Sequence, residues 1–443
     1  MEKAKKKHKF RWWYIPVGIV ILILVLIIAM LCFMRSMLPW QNAVAATSNV
    51  KVELSEGMRE FALSGDRDYS TLPDPLVMAD GTAVTTPDAF EARKAEILSL
   101  FEEHVYGTLP KDGFETSFEV VEEGETLNGA AVRKQVKITV TTEKGSSDAL
   151  MLLYIPVQDT PAPVVIGLNS SGNHAALEDA AILPSLSFDT ADGTWEEKRG
   201  EKAYRWNIED SIARGYAVAT IYSGDFAPDS GDGYATRVVS LFDEPDFKAV
   251  GAWAFGLMRA VDYMEQDAAI DPAHIAVVGH SRLGKAAVWA GANDERMGLV
   301  ISNDSGNTGA SLSRGNHGET VKSINLAFPH WFSEKYKEYG NDPSPLPVDQ
   351  NLLLAAIAPR QLYVASAEDD LWADPAGAFN SLQHAKSAFS LYGFDVIGAE
   401  EPAVDTAFFC DSMGYHVRSG WHDMQAEDWA FYLDYMDQYF VVK

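Results

Sequence analysis

A strand, a sharp turn and a helix follow one another directly near the middle of the chain. The apolar run Ile275–Val278 leads into Gly279-His280-Ser281-Arg282-Leu283-Gly284-Lys285 and then into the helix-forming run 286–290. Such a turn raises a side-chain oxygen above the end of a sheet and points backbone N–H groups at the group that this oxygen attacks. The segment therefore predicts a nucleophile elbow in an α/β fold, with Ser281 at its apex.

The same segment also fits the frame of a phosphate-binding P-loop, since Gly279 is followed five residues later by Gly284-Lys285. A P-loop has Ser or Thr after this lysine to hold magnesium, whereas this chain has Ala286. A standard elbow has glycine two residues after the serine, where this chain has Leu283. On this segment alone, a hydrolase, a nucleotide-binding protein and an inert strand–helix connection all stay open.

The N-terminal region predicts a single membrane span. Five lysines and Arg11 precede residue 12, and the run Ile15–Phe33 then carries no charge, which is long enough as a helix to cross about 30 Å of hydrocarbon. The basic flank favours a cytoplasmic N-terminus, with the rest of the chain outside the cell membrane. A secreted protein cleaved near Ala43-Val44-Ala45 is the alternative, but the apolar run exceeds a signal core and Arg35 follows it.

Charge and cysteine content limit what the rest of the chain can be. The net charge is −27, although the first 46 residues hold five lysines and two arginines against one glutamate. Such an acidic body repels phosphate backbones and gives no reason to expect a nucleic-acid partner. Cys32 lies in the apolar run and Cys410 stands alone after it, so the body has no internal disulfide and depends on its hydrophobic core.

The body predicts one α/β domain. Residues 1–40 form the basic flank and membrane anchor, residues 41–84 mix Ser, Thr, Asp, Pro and Gly as a linker does, and residues 85–443 form the catalytic domain. Apolar strands are predicted at Val164–Gly167, Tyr216–Tyr222, Ile275–Gly279, Leu299–Ser302 and Leu362–Ser366, an antiparallel edge at Val132–Val140 and Ala149–Ile155, and helices at Pro87–Tyr106 and Phe247–Gln266. Continuous apolar strands separated by helix-length stretches are typical of a mostly parallel sheet with both faces covered.

A serine hydroxyl needs a histidine to remove its proton and a carboxylate to fix that histidine. In an α/β-hydrolase fold the order along the chain is serine, acid, histidine. His422 lies in a late loop just before a helical run and is the predicted base, with His416 close enough to compete. His317 and His330 lie between the serine and the later acid, so the chain order disfavours them.

Two carboxylates compete for the third position, since each follows a predicted apolar strand. Asp304 ends the strand at 299–303, and Asp370 follows the strand at 362–366. Acidic residues at strand ends are also common in solvated loops, so either assignment depends on the serine and histidine that accompany it. Asp370 stands at the usual position for this fold and is the predicted acid, with Asp304 as the alternative.

Seven segments of the body share their order with the motifs of a known family. They are Gly279-His280-Ser281-Arg282-Leu283-Gly284-Lys285, Asn303-Asp304-Ser305-Gly306, Gly315-Asn316-His317-Gly318-Glu319, Phe328-Pro329-His330-Trp331-Phe332, Ala358-Pro359-Arg360, Trp372-Ala373-Asp374-Pro375 and Gly420-Trp421-His422-Asp423. Together they resemble the glucuronoyl esterases of carbohydrate esterase family 15, in particular the bacterial branch. The resemblance covers most of residues 85–440 and implies an α/β-hydrolase fold.

The resemblance implies a role for several single residues. Ser281 matches the nucleophile, and His422 matches the base. Arg282 matches the arginine that offers its backbone N–H and its guanidinium to the oxyanion. Asp304 and Asp370 each match a position where members carry their acid, but fungal members have glutamate at the first position. The shorter Asp304 reaches the histidine less well, so Asp370 stays the first choice.

The resemblance also implies the reaction and the substrate contacts. Lys285 and Glu319 match residues that hydrogen-bond the sugar hydroxyls, and Trp372 matches the aromatic side chain that flanks the sugar ring. The implied reaction is hydrolysis of esters of (4-O-methyl-)glucuronic acid, as in lignin–glucuronoxylan linkages, through an acyl-enzyme and without a cofactor or metal. An acetyl xylan esterase or another small-acyl carbohydrate esterase is the alternative, because one triad serves any acyl transfer. A non-catalytic, membrane-tethered carbohydrate-binding module is a further alternative that an intact triad disfavours.

Overall fold

The computed structural model describes residues 67–191 and 193–441, together with residues 26, 27 and 30. The predicted membrane span Ile15–Phe33 lies almost entirely outside these residues. Among the residues described, no helix combines the length and the apolar character that crossing a membrane requires. The predicted boundaries at residues 40 and 84 stay predictions.

Ten strands of the described chain form one mixed sheet. They are β1 Glu115–Thr126, β2 Ala131–Thr142, β3 Gly145–Pro156, β4 Ala162–Asn169, β5 Ala217–Tyr222, β6 Ile270–His280, β7 Met297–Asn303, β8 Gln361–Ala367, β9 Thr406–Phe409 and β10 Met413–Arg418. Their order across the sheet is β1-β2-β3-β5-β4-β6-β7-β8-β10-β9. The strands from β5 to β10 in this order pair in parallel, whereas β1, β2 and β3 at one edge and β9 at the other pair antiparallel. The predicted, mostly parallel sheet with an antiparallel edge is confirmed.

Helices cover both faces of this sheet. They are α1 Pro87–Phe101, α2 Ala203–Trp206, α3 Ile208–Ala213, α4 Ala249–Met264, α5 Arg282–Asn293, α6 Val321–Ala327, α7 Gln350–Ala355, α8 Pro375–Leu391 and α9 Ala426–Tyr435. Along β6, Ile275 and Val277 pack into the core cluster that contains α4 and α5. Ala276 and Val278 pack into the cluster on the opposite face, which contains α9. Burial on both faces explains why the middle strands are continuous apolar runs.

Strands β9 and β10 were not predicted, and two further elements differ from the sequence prediction for identifiable reasons. Strand β1 was not predicted, because its sequence is largely polar and only its pairing with β2 makes it a strand. It lies at the edge of the sheet, where an ion pair between Glu119 and Lys137 links it to its neighbour. The predicted helix Pro87–Tyr106 is α-helical only to Phe101 and ends in a π-helical turn over Glu102–Tyr106.

Candidate active site

The turn between β6 and α5 places Ser281 at a backbone position that few residues other than glycine adopt. Its φ is 58° and its ψ is −130°, so the turn stores local strain of the kind found at functional sites. A Cβ on Gly279 would overlap the carbonyl oxygen of Leu283, and one on Gly284 would lie 2.8 Å from the carbonyl oxygen of Gly279. The end of the strand and the start of the helix therefore contact each other at two glycines. Gly284 makes this contact although it lies one residue later than the glycine of the standard motif.

Ser281, His422 and Asp370 form one hydrogen-bonded chain. The distance from Ser281 Oγ to His422 Nε2 is 2.8 Å, and the distance from His422 Nδ1 to Asp370 Oδ2 is 2.6 Å. Because a carboxylate only accepts hydrogen bonds, Nδ1 carries the imidazole proton and Nε2 is left to accept the proton of the serine. The geometry is that of a nucleophile, its base and the group that orients the base.

The alternative acid, Asp304, lies beside this chain but bonds elsewhere. Its Oδ1 accepts a hydrogen bond of 2.8 Å from the Ala367 amide, and its Oδ2 lies 3.5 Å from Arg418 Nη2. Burial, and then the negative charge of Asp370, raises the pKa of the Asp304 carboxyl well above its usual range. Atoms of Asp304, Asp370 and His422 lie within 4.8 Å of one another, close enough to hold a metal ion. Both His422 nitrogens, however, are already engaged by Ser281 and Asp370.

Arg418, at the end of β10, holds the loop that carries His422. Its Nη2 donates to the carbonyl of Trp421 at 2.6 Å and also to the carbonyl of Asp423, so it binds the residues on both sides of the histidine. Its Nε donates to Asp428 of α9 at 2.9 Å. Arg418 was not predicted from the sequence, because a lone arginine at the end of a strand carries no motif.

Arg282 is fixed by the carboxylate of Asp229, which was not predicted from the sequence either. Its guanidinium pairs with Asp229 and lies over the rings of Phe328 and Trp331, at 5.4 and 5.1 Å from their centroids. Asp229 also accepts hydrogen bonds from His330 Nε2 at 2.8 Å and from Trp331 Nε1 at 2.7 Å. Burial opposes ionisation of Asp229, but the bond from His330 and the charge of Arg282 outweigh it and lower its pKa to about 2.

Arg282 therefore offers two kinds of donor beside the nucleophile. Its guanidinium is held in place before any substrate arrives, and its backbone N–H belongs to the first residue of α5. The first N–H groups of a helix have no acceptor within the helix, so this one stays available for an oxyanion.

The ammonium of Lys285 is fully engaged within the protein. The side chain is 3% exposed, and Nζ donates to the carbonyls of Ser305 at 2.8 Å and Asn307 at 2.5 Å and to Glu319 Oε2 at 2.6 Å. Burial lowers the pKa of Lys285, although Glu319 opposes that shift. Since an ammonium has three donors, a sugar hydroxyl would have to displace one of these bonds. The expected direct contact between Lys285 and a sugar stays a prediction, and the observed contact of Lys285 is with Glu319.

Two hollows open beside the serine, and both are bordered by Ser281, Arg282 and His422. The smaller, of about 20 Å³, brings together Lys285, Glu319 and Trp372, the three residues predicted to bind the sugar. The Glu319 amide donates to the Trp372 carbonyl at 2.8 Å, which fixes these two residues side by side. The larger hollow, of about 360 Å³, is lined by the loops after β4 and β5 and by α2, none of which was predicted to border the site.

A hydrogen-bonded serine, histidine and aspartate at the carboxyl ends of a parallel sheet define the class, a serine hydrolase of α/β-hydrolase type. Comparison with known proteins gives the family. A sequence model of fungal glucuronyl esterases matches residues 206–393. Among curated proteins, the carbohydrate esterase MZ0003 of an unknown prokaryotic organism is 40% identical over 386 residues, which cover 83% of this chain and 89% of that protein.

Solved structures agree with this relationship. A promiscuous CE15 esterase from a marine bacterial metagenome superposes with a TM-score of 0.78 at 40% identity, covering 84% of this chain and 98% of that chain. A glucuronoyl esterase from Solibacter usitatus gives a TM-score of 0.77 at 36% identity, with the same two coverages. The chain belongs to carbohydrate esterase family 15, the glucuronoyl esterases, and is a carboxylic ester hydrolase.

Proposed function

We propose that Ser281, His422 and Asp370 hydrolyse esters of (4-O-methyl-)glucuronic acid, such as those that join lignin to glucuronoxylan. The observation that carries this proposal is the chain of 2.8 and 2.6 Å hydrogen bonds from Ser281 to Asp370, directly beside the hollow formed by Lys285, Glu319 and Trp372. Family membership supports the acyl group, because a relative of similar fold is a glucuronoyl esterase.

In the first half-reaction, His422 Nε2 takes the proton of Ser281 as Oγ attacks the ester carbonyl carbon. The carbonyl oxygen becomes negative and is stabilised by the backbone N–H and the guanidinium of Arg282. The tetrahedral intermediate collapses, and the alcohol leaves with the proton from the His422 imidazolium. The task of Asp370 is to stabilise that imidazolium and to fix its orientation.

In the second half-reaction, water attacks the glucuronoyl-serine. His422 removes a proton from the water, the oxyanion is stabilised by Arg282 again, and the proton returns to Ser281 Oγ as the uronic acid leaves. Both halves use the same donors, so the fixed position of Arg282 on Asp229 supports each of them.

The residues that border the smaller hollow make the contacts with the sugar. Glu319 accepts hydrogen bonds from sugar hydroxyls, and Trp372 borders the ring. Lys285 acts through Glu319, whose Oε2 it holds at 2.6 Å. These residues therefore set the preference for the acyl group more than the rate of the chemical step.

The test is to compare the purified full-length chain on a benzyl glucuronate ester and on an acetylated sugar, with Ser281→Ala as the control. We expect the glucuronate ester to give the higher kcat/KM and Ser281→Ala to lower kcat at least about 10³-fold. A preference for the acetyl ester would instead favour the second candidate, a small-acyl carbohydrate esterase. The observation that favours this candidate is the promiscuity of the marine relative. Absence of activity on both esters would favour a binding module.

We further propose that residues 15–33 anchor the enzyme in the cell membrane, with the catalytic domain outside the cell. The uncharged run and its basic flank support this topology. Protease added to intact cells should release the esterase domain, and alkaline carbonate should not extract the uncut chain. An N-terminus found after Ala45 by mass spectrometry would replace the anchor with a cleaved signal peptide.

A further inference from the structure

Residues 67–73 lie against the rest of the domain, although their sequence predicts a linker. Arg314 Nε donates to Thr71 Oγ1 at 3.2 Å, and Asn351 Nδ2 donates to the Pro73 carbonyl at 2.9 Å. Both bonds join this segment to residues more than 200 positions later in the chain. The segment is therefore part of the folded domain, and its side chains can support elements that lie beside the active site.

Arg67 forms a buried, two-pronged ion pair with Asp374. Its Nη1 donates to Asp374 Oδ2 at 2.7 Å and its Nη2 to Asp374 Oδ1 at 2.6 Å, and the two side chains are 6% and 3% exposed. The same Nη1 also donates to the Gly315 carbonyl at 3.1 Å. Paired donors on paired acceptors fix direction as well as distance, so Arg67 holds Asp374 and Gly315 at a set separation.

Asp374 ends the loop that carries Trp372, which borders the smaller hollow. Its φ of 57° is one that few residues other than glycine adopt, so its conformation depends on the bonds that hold it. Besides the guanidinium, the Gly377 amide donates to Asp374 Oδ1 at 3.3 Å, and the Ser311 hydroxyl donates to the Asp374 carbonyl at 2.9 Å. Arg67 thus acts on this loop two residues after the tryptophan.

Gly315 begins the turn that leads to Glu319, which borders the same hollow. Its φ is 61°, and a Cβ placed on it would lie only 3.3 Å from Arg67 Cβ, so Arg67 packs closely against this turn. Within the turn, the Gly318 amide donates to Asn316 Oδ1 at 2.8 Å. This internal bond limits the freedom of a short connection, so a shift of Gly315 would also move Glu319.

The two loops meet a second time at the hollow itself. The Glu319 amide donates to the Trp372 carbonyl at 2.8 Å, and a Cβ on Gly318 would overlap that carbonyl oxygen. Arg67 joins the same loops at their other ends. Two connections fix the angle between the loops as well as their distance, whereas the contact at the hollow alone would leave a pivot.

We propose that Arg67 is a positioning residue for the acyl sugar, which holds Glu319 and Trp372 at the spacing that a glucuronate ring requires. Arg67 is not among the described residues that border either hollow, so it acts through the two loops. Other contacts hold Ser281 and His422, so loss of Arg67 should weaken substrate binding more than it slows the chemical step. The inference rests on the proposed function, since it takes the acyl group to be a glucuronate.

The test compares the full-length wild type with Arg67→Met in steady-state kinetics on a benzyl glucuronate ester. Methionine keeps much of the side-chain bulk but leaves the Asp374 carboxylate without its partner. We expect KM to rise about tenfold while kcat changes less than about threefold, because the displaced loops bind ground state and transition state alike. Arg67→Lys keeps the charge but lacks the planar fork, so its KM should rise only about threefold.

Arg93→Met is the matched control. The Arg93 side chain is 4% exposed, pairs with Glu96 of α1 and donates to the Asp74 carbonyl at 3.3 Å, so it holds the next part of the same segment. These partners lie outside the loops that carry Glu319 and Trp372. The KM of Arg93→Met should therefore stay within about twofold of the wild-type value.

Circular dichroism gives the folded fraction of each variant, and the kinetic constants are referred to it. A wild-type KM in folded Arg67→Met would overturn the inference alone, and so would a tenfold rise in the KM of Arg93→Met. A fall in kcat at constant KM would contradict it as well. Should Arg67→Met fail to fold, Arg67→Lys replaces it, and an unchanged KM there has the same meaning. A wild type that hydrolyses no glucuronate ester would refute the proposed function and the positioning role with it.

Discussion

Strands β7 and β8 are neighbours in the sheet, and a buried aspartate follows each of them. Asp370, after β8, accepts the Nδ1 proton of His422, whereas Asp304, after β7, accepts from the Ala367 amide and faces Arg418. The two residues are alike in type, in burial and in their position at the carboxyl end of a strand. What differs is which donor has already taken the carboxylate oxygens. The role of an acid at the carboxyl end of these strands is therefore decided by its hydrogen-bond partners.

Arg418 distinguishes the region around Asp304 from the region around Asp370. It offers a cation to Asp304 and hydrogen bonds to the carbonyls of Trp421 and Asp423, so it supports the histidine loop on the Asp304 side while Asp370 binds the imidazole itself. Substituting Asp370, Arg418 and Asp304 in turn should show how unequally the two regions contribute to catalysis.

The largest effect is expected from Asp370→Asn. An amide in this position cannot hold the Nδ1–H tautomer as a carboxylate does, so we expect kcat on a glucuronate ester to fall roughly 10³- to 10⁴-fold with little change in KM. The measurement is steady-state kinetics beside Asp304→Asn. If Asp304→Asn abolished activity and Asp370→Asn kept most of it, the two aspartates would have to exchange roles.

A smaller loss is expected from Arg418→Met, which keeps the bulk of the side chain but removes the donors that hold Trp421 and Asp423. We expect kcat to fall about 10- to 100-fold, because a base that is displaced by a fraction of an ångström transfers protons less well. Arg418→Lys is the matched variant and should recover part of the loss. A kcat per folded molecule of Arg418→Met equal to that of the wild type would refute a positioning role, since any lost activity would then reflect unfolded protein alone.

The smallest effect on catalysis is expected from Asp304→Asn, with less than a tenfold change in kcat, since the interactions of Asp304 are with Ala367 and Arg418. Its effect should be visible in stability instead. The folded-state pKa of Asp304 is raised by burial and by Asp370, so its contribution to the free energy of unfolding is present below the unfolded-state pKa. That contribution is lost as the pH rises through the folded-state pKa.

Thermal melts between pH 4 and 9 check this sign. The wild type should lose stability relative to Asp304→Asn as the pH rises, and Asp232→Asn on an exposed loop should follow the wild type. A wild type that gains stability relative to Asp304→Asn as the pH rises would contradict the raised pKa.

The elbow, the parallel strands and the Ser281–Asp370–His422 chain could be predicted because each has a local signature or a fixed order along the chain. The groups that were missed lack such a signature. Asp229 meets Arg282 across 53 residues of sequence and His330 across 101, in contacts that only the fold creates. The two backbone carbonyls that bind the Lys285 ammonium could not be predicted either, because any residue can supply a carbonyl.

The carboxylate of Asp229 joins three distant segments of chain, around residues 229, 282 and 330–331. Contacts of such sequence separation gain interaction only once long loops have closed. Arg282 thus takes its place beside the serine only when these three segments have come together. In a refolding time course, esterase activity should return with the native tryptophan fluorescence and not before it.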